Sequence, residues 1–289
     1  MNIIKYIKET KYNIGFIDGD LQSVMEGQPI HINWMRHSYK DRWFADPFIL
    51  DVTDNEIIVL VEEWFDPIQR GRITKLIIDK KNFKLKNLKV MIDSGSHLSF
   101  PAIERKNNEI FIHPENSEMG CLEEYKYNPG TDSFDKVRVL SDLPLTDSVC
   151  TDLFGDNIMF STKLPDANGK ELGIYLWDRN NNLFTIKDTI HFSDNISRMA
   201  GNFFEYKGKK YRPAQVCIKS YGDAVSIQEV SYNGEKWSFQ EIRRIYSPSP
   251  NLDLGFHTFN VWNGLIVVDA IGYRRAKLCH ILRKFKHII

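Results

Sequence analysis

The sequence predicts an all-β fold, a five-bladed β-propeller with four-stranded antiparallel blades. Two observations point there. A polar or charged cluster that opens a strand hairpin recurs at Trp43-Phe44-Ala45-Asp46-Pro47, His97-Leu98-Ser99-Phe100-Pro101, Asp147-Ser148-Val149-Cys150-Thr151-Asp152, Arg198-Met199-Ala200-Gly201-Asn202 and Gly255-Phe256-His257-Thr258. The starts fall roughly fifty residues apart, the length of one propeller blade. Between them lie short β-branched and aromatic runs broken by turn dipeptides, while long amphipathic helical patterns are scarce. A two-sheet sandwich explains the strands but not a polar opening at a fixed period. In a propeller the innermost strands line a central channel, so five polar clusters are expected to meet.

Taken in order, residues 11–40 precede the first block and are expected to supply a strand that closes the ring. Blade starts are placed near 44, 97, 147, 198 and 255, and the whole chain, 1–289, is read as one domain without a linker. Strands are expected at Ile57–Val61, Ile73–Asp79, Glu109–Pro114, Leu122–Tyr127, Asn157–Ser161, Gly173–Trp177, Lys210–Pro213, Ala224–Val230 and Gly264–Asp269. Pro129-Gly130, Gly155-Asp156, Asn168-Gly169, Lys207-Gly208 and Asn233-Gly234 supply turns. Asn263-Gly264 between apolar runs is the strongest hairpin signal. Tyr273 to Lys286 reads either as a helix or as a last strand with a basic tail.

Lys+Arg and Asp+Glu both number 38, so the formal net charge is zero. That argues against nucleic acid as a main partner, because phosphate binding needs a basic surface; the basic tail from Arg274-Arg275 to Lys286-His287 is only a local patch. Aromatics are 12% of the chain, which suits blade packing first; sugar stacking uses the same apolar faces, and composition does not separate the two. Cys121, Cys150, Cys217 and Cys279 have no CxxC spacing, so no metal or redox motif follows from them. The first ten residues lack the apolar core and cleavage site of a signal peptide, and no apolar run is long enough to span a membrane. A cytoplasmic location is therefore expected. GxSxG, P-loop, GxGxxG and HExxH motifs are absent, and neither a metal nor a cofactor is expected.

The block starts hold the candidate chemistry. Asp46, set between aromatic residues and Pro-Phe, is costly to bury without partners; it either caps a turn or serves as a pocket carboxylate. Strand alternation sends one of Glu62 and Glu63 inward, and Glu62 is preferred. His97 and Glu115 come from the second block, Asp147 and Asp152 from the third. Carboxylates from separate blades can hold divergent pKa values, as glycosidic chemistry needs. Arg198, Arg212 and Gln215 cluster in the fourth block, where they either brace the channel or recognise a phosphate, carboxylate or sugar hydroxyls. His257 adds a group that titrates near neutrality.

Several segments together resemble a known family. Phe44-Ala45-Asp46-Pro47-Phe48, Val61-Glu62-Glu63, Gly71-Arg72-Ile73, His97-Leu98-Ser99-Phe100-Pro101, Pro114-Glu115-Asn116-Ser117, Arg198-Met199-Ala200-Gly201, Arg212-Pro213-Ala214-Gln215, Tyr221-Gly222 and Gly255-Phe256-His257-Thr258 resemble the N-terminal domain of glucosamine inositolphosphorylceramide transferases. That domain is similar to the five-bladed propellers of arabinanase-like and fructosidase-like glycoside hydrolases. The resemblance implies that Asp46 matches the first-blade general base or nucleophile, and that Asp147 or Asp152 matches a third-blade supporting Asp. It departs from those hydrolases where they carry a general-acid Glu in a later blade. This chain offers Arg198, Arg212 and Gln215 there, and Glu205 falls inside a hairpin.

The resulting expectation is a carbohydrate-active propeller that acts on or transfers a sugar, nucleotide-linked or acidic, in surface-polysaccharide or glycolipid assembly. Asp46, Glu62 and Asp152 are its expected catalytic acids. His97, Glu115, Asp147, Arg198, Arg212, Gln215 and His257 are its expected substrate contacts. A non-catalytic glycan-binding or scaffold module is the alternative. A third reading, a rim-binding interaction propeller, requires the polar clusters to bond one another and plug the channel.

Overall fold

The computed structural model describes residues 9–155, 157–275 and Cys279. Among them, strands form five four-stranded antiparallel sheets. The chain begins with β1 (Thr10–Asp18), a short helix α1 (Leu21–Met25) capped by Asp20, and β2 (His31–Trp34). Blade one is β3 (Arg42–Val52), β4 (Glu56–Phe65), β5 (Arg70–Asp79) and β6 (Leu85–Ile92). Blade two is β7 (Ser99–Lys106), β8 (Glu109–Glu115), β9 (Leu122–Asn128) and β10 (Ser133–Ser141). Blade three is β11 (Leu145–Thr151), β12 (Ile158–Lys163), β13 (Glu171–Asp178) and β14 (Leu183–His191). Blade four is β15 (Phe204–Tyr206), β16 (Lys209–Val216), β17 (Ala224–Tyr232) and β18 (Trp237–Ile245). The fifth sheet takes β19 (Phe259–Trp262) and β20 (Leu265–Tyr273) from the end of the chain and β1 and β2 from its beginning, in the order β19-β20-β1-β2. The pairing of β1 with β20, with Ile14 opposite Asp269, joins the two ends and closes the ring.

The hairpins follow from turn chemistry. Trp262 pairs with Leu265 across Asn263-Gly264, and both turn residues have positive φ (48° and 75°). That is the backbone a tight two-residue hairpin requires and that Asn-Gly adopts at low cost. Lys207-Gly208 repeats the device between Tyr206 and Lys209. β20 runs to Tyr273; Arg274 is paired with Asp66 and Glu9, and Arg275 with Glu9. These two arginines are thus committed within the fold. The remaining expected helix or tail lies outside the described residues, apart from Cys279.

The apolar core lies between the blade faces. One cluster joins Phe48, Leu60 and Ile73 of blade one to Phe100, Ala102 and Ile112 of blade two and to Val149 and Phe160 of blade three. Phe48 and Phe100 meet edge to face with centroids 5.0 Å apart. Each such buried side chain contributes about 1.5–3 kcal/mol, and the contacts fix the angle between neighbouring blades.

Among the first strands, β7 touches both β3 and β11, and β3 also touches β19, so these strands lie nearest the axis. Three of them carry the same irregularity near their leading end. Asp46, Phe100 and Asp147 have φ of 49°, 42° and 46°. At each, the pairing with the next strand slips, between Ala45 and Phe48, Ser99 and Ala102, and Thr146 and Val149. These are β-bulges, which re-aim side chains and often border functional sites. Their side chains are therefore set by the bulge rather than by simple alternation.

Candidate functional site

The bulges bring the backbone N–H of one blade onto a carboxylate of the blade before it. Asp46 N donates to Asp269 Oδ2 (2.8 Å), Phe100 N to Asp46 Oδ2 (3.2 Å) and Asp147 N to Glu115 Oε2 (3.0 Å). The acids thereby serve partly as struts between blades. They also converge in one polar constellation at the leading mouth of the channel, made of two hydrogen-bonded groups.

In the first group, Thr258 Oγ1 donates to Asp46 Oδ1 (2.9 Å), and His257 Nδ1 lies 2.8 Å from Asp269 Oδ1 and 3.8 Å from Asp46 Oδ1. Burial works against the imidazolium, but Asp269 and Asp46 outweigh it and lift His257 to about 9. Asp269 is held below its ordinary value: burial pushes it up, and His257 more than offsets that. His257 is therefore a cation at neutral pH. Burial pushes Asp46 up to about 6, against the pull of His257, with Asp147 and Asp269 adding repulsion. Asp46, His257 and Asp269 each offer a ligand atom within 4.8 Å of the others.

In the second group, Arg198 Nε donates to Asp147 Oδ2 (2.6 Å), its Nη2 to Glu115 Oε2 (3.1 Å) and its Nη1 to Asn168 Oδ1 (3.0 Å). Gln215 Nε2 donates to Asp147 Oδ2 (2.6 Å) and Ser117 Oγ to Glu115 Oε1 (2.8 Å). Burial pushes Asp147 up to about 7; Arg198 opposes the shift and Glu115 reinforces it. Tyr221 connects the groups, with the Arg198 guanidinium 5.2 Å from its ring centre and the His257 ring 5.4 Å away.

Glu62 stands between them. Its carboxyl is pushed well up by burial and then by Asp46, Glu115, Asp269 and Asp147. His97 Nδ1 accepts from Gly71 N (2.9 Å), which assigns the ring proton to Nε2, 3.6 Å from Glu62 Oε1. Gly71 is needed for this approach, since a Cβ there would lie 2.6 Å from Glu62 Oε1 and 2.8 Å from His97 Cε1. Alternation resolves the neighbouring acids as expected: Glu63 points the other way and is held by Arg42, Arg72 and Thr74.

Aromatic rings edge the site. Tyr12 stacks on His257 (4.7 Å) and meets Trp43; Trp43 stacks on Trp64 (5.5 Å), and Trp64 approaches His97 (6.0 Å). Trp43 and Trp64 are directly opposite in the β3–β4 register and half-buried, which leaves aromatic surface for a ligand. On the far side Tyr221 is 42% exposed.

The structure thus gathers Asp46, Glu62, His97, Glu115, Asp147, Arg198, Gln215 and His257. It does not bring Asp152 or Arg212 to them. Asp152 follows β11 at the trailing end of the strand. It is exposed and lines a separate cleft of about 270 Å³ with Glu104, Cys150 and Asn202. Asn202, just before β15, donates from Nδ2 to Ile103 O of β7 (2.8 Å), a bond from blade four to blade two. Arg212 is wholly buried; its guanidinium donates to Gln228, Ser197 O and Ile196 O and packs between Phe192 and Phe239. It braces blade four and presents no fork to a ligand. Arg212→Ala is accordingly expected to cost on the order of 3–5 kcal/mol, from stranded acceptors and a cavity, at any pH between 5 and 8, as read by urea unfolding.

Sequence reasoning missed Tyr12, Trp43, Trp64 and Asp269 as parts of the site. Asp269 carried a signal: an acid inside the apolar run Ile266-Val267-Val268-Asp269-Ala270 requires buried partners. Tyr12 carried none, because its place depends on ring closure.

The site has a pH signature. Asp46, Asp147 and Glu62 are raised carboxyls, so their contribution is fully present below their unfolded values and lost as pH rises through the folded ones, about 6 and 7 for the two aspartates. The raised His257 contributes below its unfolded value, and that contribution is lost as pH rises through about 9. The depressed Asp269 acts oppositely, losing its contribution as pH falls through its folded value. Stability contributed by these groups is therefore greatest on the acid side of neutrality. Glu62→Gln, which removes a crowded charge, is expected to raise Tm at pH 8 and leave it nearly unchanged at pH 5; a lower Tm at pH 8 would show that the carboxylate is stabilising.

Fold and site together define a five-bladed propeller with an acid-rich constellation at one mouth. Residues 32–269 match the family model described as glucosamine inositolphosphorylceramide transferase 1, N-terminal, and the chain belongs to that family. It is 27% identical over 233 residues to glucosamine inositolphosphorylceramide transferase 1 of Arabidopsis thaliana, covering 77% of this chain and 29% of that protein. Over 238 residues it is 25% identical to the Oryza sativa subsp. japonica protein of the same name, covering 78% and 31%. The chain thus spans less than a third of the length of these curated relatives. Among solved structures, a GH43 β-xylosidase/α-arabinofuranosidase from a compost microbial metagenome superposes with a TM-score of 0.51 at 10% identity, covering 81% of this chain and 92% of that one. A GH43_1 enzyme from Xanthomonas citri complexed with xylose gives 0.51 at 8%, covering 81% and 88%. At such identities the likeness concerns the fold.

Proposed function

We propose that this propeller binds a sugar at the leading mouth, in particular a sugar bearing an ammonium group, and takes part in glycosyl transfer during glycolipid assembly. One observation carries the reading: five carboxylates (Asp46, Glu62, Glu115, Asp147, Asp269) converge against two cations, Arg198 and His257. The expectation of a guanidinium-rich, anion-facing site is revised accordingly, since Arg198 is engaged by Asp147 and Glu115 and Arg212 is buried elsewhere. Such a site favours hydroxyls and a positive charge over phosphate. The plant relatives carry glucosamine in their name, a sugar of that character, and the half-buried tryptophan pair offers a face for a sugar ring. Asp46 and Asp147, with values near neutrality, suit proton transfer at a glycosidic or hydroxyl oxygen.

Calorimetry at pH 7 with glucosamine, glucose and glucuronate tests the preference. Glucosamine is expected to bind most tightly and glucuronate least. Its binding should also release protons, because a bound cation drives ionisation of the raised carboxyls. Tightest binding of glucuronate would refute the charge argument.

The binding-only alternative shares one supporting observation with the rim-binding reading, that Asp46 and Asp147 are held by bonds between blades. It is separated by assaying product as well as binding. A pure binding module retains sugar affinity and shows no turnover with any nucleotide-linked donor.

A further inference from the structure

Away from that site, a second cluster sits between blades two and three near the trailing mouth. Glu104 on β7, His113 on β8 and Cys150 on β11 each present a ligand atom, and these lie within 4.8 Å of one another. Local geometry builds the cluster. Ala102 is opposite His113 and Glu104 opposite Phe111, so Glu104 and His113 are diagonal neighbours on one face of the blade. The small Ala102 side chain leaves room beside the ring.

His113 is 1% exposed, and neither ring nitrogen has a hydrogen-bond partner. The backbone of Ser148 lies beside the ring but outside hydrogen-bonding geometry. A buried imidazole with two unsatisfied nitrogens is costly, and the fold tolerates it on the face that Glu104 and Cys150 share. Burial lowers the imidazole to about 4, so it is neutral and ready to act as a ligand. Glu104 Oε1 takes Lys106 Nζ (2.6 Å), which leaves its second oxygen for a ligand. Glu104 and Cys150 also line the trailing cleft with Asp152, so the cluster is reached from solvent.

We infer that Glu104, His113 and Cys150 form a binding site for a zinc-like divalent cation that ties blade two to blade three. One thiolate, one neutral imidazole and one carboxylate make a donor set zinc accepts, with the cleft supplying a fourth, water-filled position. Bond lengths of about 2.0–2.3 Å put tetrahedral ligand atoms roughly 3.5 Å apart, so the three groups need only close slightly. Burial raises the Cys150 thiol well above its ordinary value, and the cation would displace its proton to solvent as the Zn–S bond forms.

The test uses the reduced 289-residue protein, stripped with a chelator and titrated with zinc against a chromophoric competitor, then with cobalt(II) to read thiolate charge-transfer absorption. One equivalent of zinc is expected, with the sulfur-to-cobalt band present. His113→Gln and Cys150→Ser should each weaken zinc binding at least as much as loss of an outer-sphere contact does, roughly 10–100-fold, and Cys150→Ser should remove the band. Asp46→Asn, at the other mouth, should bind zinc like the wild type. Circular dichroism checks folding, and if His113→Gln unfolds, the half-buried Cys150→Ser decides. Folded wild type that binds no zinc overturns the inference. So does zinc binding that survives Cys150→Ser, or that is lost in Asp46→Asn.

Discussion

Arg198→Met should destabilise the protein by about 3–5 kcal/mol at pH 8, the cost of leaving buried charges without their partner. Asp147 and Glu115 both rely on this guanidinium, at 2.6 and 3.1 Å. Even with it in place, burial holds Asp147 at about 7; without it the carboxyl rises further. The penalty should shrink toward pH 5, where Asp147 takes up a proton and no longer needs a cation. Urea unfolding of wild type and variant at the two pH values reads the difference. A penalty equal at both would mean that Arg198 acts through packing against Tyr221 rather than through charge.

Asp46→Asn is expected to reduce sugar turnover by about 10²–10⁴-fold, the usual contribution of a positioned acid or base, while the protein stays folded. The amide oxygen keeps one of the two acceptor roles, toward Thr258 Oγ1 or Phe100 N. The pH–rate profile separates chemistry from architecture: a limb near pH 6, from the raised Asp46, should be present in the wild type and missing in the variant. Turnover that falls with the limb retained would assign the loss to disturbed bracing between blades.

Much of this was legible in the sequence because the propeller repeats. The polar openings at Asp46, His97, Asp147, Arg198 and His257 recur once per blade, and the leading ends of the inner strands meet at one mouth whatever the detailed packing. Glu62 was separable from Glu63 by alternation, since β4 is regular through both residues. Asp152 was misplaced for a related reason. It lies five residues beyond Asp147, just past the end of β11, and at about 3.3 Å per residue that travel carries it to the opposite mouth. Arg212 misled because a buried guanidinium and a ligand-facing one have the same sequence context, and only the acceptors around it, Ser197 O, Ile196 O and Gln228, distinguish them. The bulges at Asp46, Phe100 and Asp147 were also hidden, because none of these positions is the glycine that usually marks positive φ.

A crystal structure of the protein saturated with glucosamine addresses the shared site most directly. The ring should lie at the leading mouth, with its ammonium and hydroxyl groups on Glu62 and Asp46 and one face against Trp64 or Tyr221. A sugar seated instead in the trailing cleft beside Asp152, or no ordered sugar in crystals of a protein that binds it in solution, would contradict the assignment.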